Sequence, residues 1–154
     1  MEPETIRALF AALRDEHVDY VLVGALAMDV LGIGRLTEDI DLFVRPTAEN
    51  IDRLRRALRR VWQDASIDEI TAADLAGDYP AVQYVAPDGT PIDILSRLGE
   101  AFDFGDLEAT SYSYGDVDVT VATPATLYRM KRDTVRLLDK ADAQVLKEKF
   151  GLKE

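Results

Sequence analysis

Apolar residues recur at helical spacing in the first part of the chain, at Ile6, Leu9, Phe10 and Leu13, and predict an amphipathic helix over 3–16. The pattern then tightens into a near-continuous apolar run over 18–23, which reads as a buried strand that Gly24 stops. A short helix over 25–31 and a Gly-Ile-Gly turn at 32–34 follow. Over 39–44, Asp39 and Asp41 alternate with Ile40, Leu42 and Val44, and Pro46 closes this second strand. Thr47 is placed to cap a helix running to about residue 63, with Ile51, Leu54, Leu58 and Val61 on its buried side. Periodicity is weak over 64–78, where a loop with a short helix is expected.

The second half reads as two hairpins and two helices. Segments 81–86 and 91–95 flank Pro-Asp-Gly-Thr, a strong turn signal. A second hairpin is expected around Gly115 and Asp116, between Ser-Tyr-Ser-Tyr and Val-Asp-Val-Thr-Val. Pro124 opens a helix in its first turn with Thr123 as the cap, and 137–150 is helical. With no repeat, low-complexity tract or linker, the expectation is one α/β (α+β) domain over 1–154. Its mixed sheet is flanked by helices, with a core at about 18–122 and C-terminal helices at about 124–150.

Composition narrows the chemistry. The absence of cysteine removes disulfides, thiolate zinc sites and cysteine nucleophiles together. The N-terminal Met-Glu-Pro-Glu-Thr is no signal peptide, and no apolar run is long enough to span a bilayer, so a soluble, cytoplasmic protein with no membrane partner is expected. A net charge of -11 opposes non-specific nucleic-acid binding. The positive charge is clustered, at Arg53, Arg55, Arg56, Arg59 and Arg60 and again over 129–140. The first cluster surrounds the apolar stripe of a helix and reads chiefly as its solvated face, with a landing strip for RNA as the functional alternative.

The strand acids carry the chemistry. Side chains two apart on a strand share a face, so Asp39 and Asp41 sit roughly 6–7 Å apart along one side and repel unless a cation lies between them. Asp93, between Ile92 and Ile94, repeats the pattern. If its strand lies beside that of Asp39 and Asp41, three carboxylates converge. Such a group suits Mg²⁺, which prefers oxygen ligands, and phosphoryl or nucleotidyl transfer is the chemistry that uses it. The plain alternative is a solvated strand face. Asp116 and Asp118, beside the turn at Gly115, are read in that way. Gly24 ends a strand and opens a helix, where backbone N–H groups favour an anion, although a turn requirement alone explains a glycine there. His17 reads as a helix-end cation, and Tyr112, Tyr114 and Tyr128 as core.

Taken together, the order strand, Gly-Ala, short helix, Gly-x-x-Arg-x-Thr-x-Asp-Ile-Asp and a later strand aspartate resembles the nucleotidyltransferase superfamily, whose folds are like DNA polymerase beta. More narrowly, it resembles the small bacterial AbiEii/MenT-like nucleotidyltransferases. The matching residues are Gly24, Arg35, Thr37, Asp39, Asp41 and Asp93, followed by Pro124, Leu127, Lys131, Arg136, Asp139 and Asp142 in a closing motif. The likeness runs from about residue 18 to 147. It implies that Asp39, Asp41 and Asp93 are catalytic and hold Mg²⁺, with Mn²⁺ as an alternative. It also implies that Gly24, Ala25, Arg35, Thr37, Lys131 and Asp139 serve a nucleoside triphosphate such as ATP. Ala25 stands where the superfamily often has serine, which removes one hydroxyl contact to phosphate. The acceptor is left open among RNA, protein and a small molecule, including an antibiotic, and an antitoxin partner is implied. A nucleotide-binding or interaction module without turnover is the rival from another class.

Overall fold

The structure is a computed structural model that describes residues 2–34, 39–78, 80–98, 102–132 and 137–153. Among the described residues, six α-helices, α1 (Pro3–Asp15), α2 (Gly24–Val30), α3 (Ala48–Val61), α4 (Ala72–Ala76), α5 (Pro124–Arg132) and α6 (Leu137–Phe150), accompany eight strands. These are β1 (Tyr20–Val23), β2 (Ile40–Val44), β3 (Ala81–Val85), β4 (Pro91–Leu95), β5 (Arg97–Leu98), β6 (Phe102–Asp103), β7 (Ala109–Tyr114) and β8 (Val117–Ala122). Six strands form one mixed sheet in the order β3-β4-β2-β1-β8-β7, and β5 and β6 pair separately. β1 runs antiparallel to β2 and parallel to β8, and β2 runs parallel to β4. Outer strands β3 and β7 complete antiparallel hairpins with β4 and β8.

The apolar periodicities appear as burial. All four residues of β1, Tyr-Val-Leu-Val, are buried, as expected for a central strand covered on both faces. β4 alternates, with Ile92 and Ile94 fully buried and Asp93 on the other face. α1 packs Leu9, Phe10 and Leu13 against the Ile51, Leu54 and Leu58 stripe of α3. Thr47 caps α3 by accepting from the Asn50 amide at 3.2 Å. Buried Asn50 then ties the start of α3 to the chain entering β1, accepting from the Asp19 amide at 2.7 Å and donating to the Asp19 and Arg45 carbonyls. A buried amide with every such bond made fixes the helix against the sheet, because leaving any one unmade costs about 1–3 kcal/mol.

The weakly periodic stretch resolves into a 3₁₀ turn, Ala65–Glu69, and the five-residue α4, capped by Asp64 and Thr71. Its apolar residues Ile67, Ile70 and Leu75 are buried one at a time, which leaves little repeating signal. Each arginine of α3 is engaged within the chain. Arg53 pairs with Glu49, Arg55 with Asp52 and the Ile70 carbonyl, Arg56 with Glu16 and Asp52, Arg59 with Asp68, and Arg60 with Asp15 and Glu16. This row therefore ties α3 to the end of α1 and to the following turn. No helix among the described residues is long and apolar enough to cross a membrane.

Candidate functional site

The register of three neighbouring strands builds the site. Val23, the last residue of β1, lies opposite Asp41, and Asp41 lies beside Asp93 across the parallel β2–β4 pair. The two lie side by side on one face of the sheet, where the Asp93 carboxyl opposes ionisation of Asp41. Asp41 is pushed up to about 7, first by burial, then by the hydrogen bond and charge of Asp93 and the charge of Asp39, with Lys131 partly offsetting them. Asp39 differs from the sequence expectation: β2 begins at Ile40, and Asp39 is exposed just before the strand. It acts on Asp41 through its charge, and the register-matched pair is Asp41 with Asp93.

Gly24 is fixed by this same register. Its φ is +76°, and a Cβ there would sit 2.0 Å from Oδ2 of Asp41. Any side chain at 24 would displace the acid, so the glycine is needed by the carboxylate as well as by the turn. Ala25 follows in the first turn of α2 and adds no polar group. Gln83 on β3, opposite Asp93, donates from Nε2 to Asp93 Oδ1 at 3.0 Å.

Lys131 brings positive charge from the far side. On α5 it reaches two acids of α6, 3.4 Å from Asp139 Oδ1 and 3.1 Å from Asp142 Oδ2, and all three side chains are largely buried. Its charge is felt at Asp41, so the α5–α6 pair faces the strand acids. Arg35, Thr37 and Arg136 lie outside the described residues. Asp116 pairs with Arg7 at 3.4 Å and Asp118 is exposed on β8, in keeping with a solvated face. Tyr128 is buried, and Tyr112 and Tyr114 pack against the core.

The donor set fits a hard divalent cation. A carboxyl whose ionisation is opposed by burial and by a neighbouring carboxyl is where such a cation is favoured. Among the described residues, no three Asp, Glu, His or Cys side chains gather as a ready-made metal cage.

Over residues 7–141 the sequence matches the family described as nucleotidyl transferase AbiEii toxin, type IV TA (toxin–antitoxin) system. The chain belongs to this AbiEii nucleotidyltransferase family. The crystal structure of a candidate nucleotidyltransferase from Thermotoga maritima is similar to it, with a TM-score of 0.57 at 16% identity over 96% of this chain and 91% of that one. At that identity the likeness speaks for the fold. Comparison with curated proteins returned no match. The activity of this AbiEii member is accordingly that of a nucleotidyltransferase, and its fold is the mixed sheet flanked by helices that the superfamily resemblance implies.

Two site features of the AbiEii chain were not read from sequence. Gln83 carries no motif, and only the β3–β4 pairing shows that it faces Asp93. The signal was present in the Pro-Asp-Gly-Thr hairpin, whose register sets the two opposite each other. Asp142 appeared only as a step in the closing motif, yet it lies nearer to Lys131 than Asp139 does.

Proposed function

We propose that this AbiEii protein transfers a nucleoside monophosphate from a nucleoside triphosphate to an acceptor hydroxyl with the help of Mg²⁺. The observation that carries the reading is the Asp41–Asp93 pair, set in register beside Gly24 in a chain of the AbiEii nucleotidyltransferase family. Asp41 and Asp93, with Asp39 at their edge, would hold the cation, which supplies charge neutralisation at the phosphates when bound. The backbone at Gly24 and Ala25, with Arg35 and Thr37, serves the triphosphate. Lys131 stands toward the departing pyrophosphate, and Asp139 keeps it in place. The acceptor oxygen forms its bond to the α-phosphorus as the bond to the bridging oxygen breaks. The acceptor proton passes to Asp93, and pyrophosphate leaves. Positioning and charge supply most of the acceleration.

The toxin–antitoxin family supports an antitoxin partner, and a cytoplasmic toxin acting on RNA, protein or a small molecule is the corresponding biological reading. The test uses each α-labelled nucleoside triphosphate with RNA, protein and small-molecule fractions of a bacterial lysate. Label entering one fraction with wild type and Mg²⁺, and lost with Asp41→Asn or Asp93→Asn, supports the proposal. Equal labelling by the variants removes these acids from the reaction.

A further inference from the structure

β3 is an outer strand whose free side is unguarded. The Ala86 amide donates to the Thr90 carbonyl, and the Ser96 amide to the Pro80 carbonyl. In the antiparallel β3–β4 register these are the hydrogen-bonded pairs, so even-numbered residues bond inward to β4. The N–H and C=O groups of Ala81, Gln83 and Val85 therefore point to the free side, and no strand among the described residues pairs with them. All three residues are exposed, Val85 at 53%. In a chain with a charged fraction of 31%, Ala-Val-Gln-Tyr-Val contains no charge to discourage pairing.

The surroundings specify the partner. At the Ala81 end, a groove of about 400 Å³ is lined by Asp74 and Asp78 together with Ala81 and Val82. Past the Val85 end, the turn residue Asp88, which accepts from the Thr90 amide, and Glu4 of α1 line a groove of about 600 Å³, where Arg60 is paired with Asp15 and Glu16. We infer that the outer side of β3 docks an extended, basic segment of a partner polypeptide by strand addition, with its cations at the two acidic ends. A second copy is disfavoured, because antiparallel β3–β3 pairing sets Asp78 of one chain toward Asp88 of the other. The position matters for the site: Gln83 lies in the middle of this strand and holds Asp93, so a docked segment borders the strand acids. The opposite outer strand, β7, is three strands away from β2.

The test is amide hydrogen exchange by NMR on the full chain. The probes are the blocked peptide Lys-Thr-Val-Thr-Val-Lys and its counterpart with glutamate in place of lysine. The basic peptide is expected to slow exchange at Ala81, Gln83 and Val85 by threefold or more, leaving Val82 and Tyr84 unchanged. Val85→Lys should weaken its binding about tenfold. Asp74→Asn with Asp78→Asn should weaken it about threefold to tenfold at low salt, through rim charge alone. Equal effects of the two peptides, no protection by either at millimolar concentration, or protection that grows with protein concentration alone would each overturn the inference. The last result would assign the edge to a second copy.

Discussion

Asp41→Asn replaces a carboxyl that the fold holds protonated with a neutral group of the same shape, which makes the energetic cost of the site measurable. Asp41 rises from 3.8 to about 7 in the folded chain, chiefly through burial. Between those values the unfolded chain has released a proton that the native state keeps. Stability of the wild type therefore falls as pH rises from about 4 to about 7, and this contribution is level above that. The difference, 7 − 3.8 = 3.2, at about 1.36 kcal/mol per pH unit, sets an upper bound of about 4 kcal/mol on the cost of ionising Asp41. Water reaching the half-buried pair relaxes part of it, leaving an effect on the order of 1–3 kcal/mol. Urea unfolding in the presence of chelator should find Asp41→Asn and wild type nearly equal at about pH 4.5. At about pH 8 the variant should be the more stable by that amount, with a melting temperature several degrees higher. Saturating Mg²⁺ should reverse the order, since it binds only the wild-type native state. A variant less stable than wild type at pH 8 in chelator, or a difference that ignores pH, would refute the reasoning.

Other outcomes follow from the same geometry. Metal affinity should fall about tenfold per pH unit below about pH 7, as Asp41 takes up its proton, and level off above; calorimetry showing constant affinity from pH 5.5 to 8 would count against Asp41 as a ligand. Gly24→Ala should destabilise by about 2 kcal/mol or more, from the left-handed backbone and the collision with Asp41. Adding Asp41→Ala should recover the steric part, and a strictly additive double variant in chemical denaturation would show that the two do not collide. Lys131→Met should destabilise by on the order of 1–3 kcal/mol, because Asp139 and Asp142 lose a cation that pairs with both in a largely buried place. Adding Asp142→Asn should restore some of that, and a loss below about 1 kcal/mol in the single variant would mean that the cluster is more open to water than its burial indicates.

Most elements were legible because their signals are local. The α1 and α3 stripes, the Thr47 and Thr123 caps and the two hairpin turns each lie within a few residues, and the structure has them at those places. The small β5–β6 ribbon was missed, since two-residue strands leave no alternation to read. At the site, alternation around Asp41 and Asp93 gave the shared face, but their pairing depends on β4 lying beside β2, which no local pattern encodes. The same alternation placed Asp39 inside the strand, whereas the strand starts one residue later. The arginines of α3 show the limit of composition: a basic cluster in sequence becomes a set of ion pairs once Glu16, Asp52 and Asp68 are brought to it.

The central claim is that the strand acids hold a divalent cation for nucleotide transfer. Calorimetric titration of wild type and of Asp39→Asn/Asp41→Asn with each of the four nucleoside triphosphates, with and without Mg²⁺, tests it most directly. The expected result is Mg²⁺-dependent binding of at least one nucleotide by wild type, lost in the double variant while its fold persists. Binding that is indifferent to Mg²⁺, or equal in the two proteins, would contradict the account.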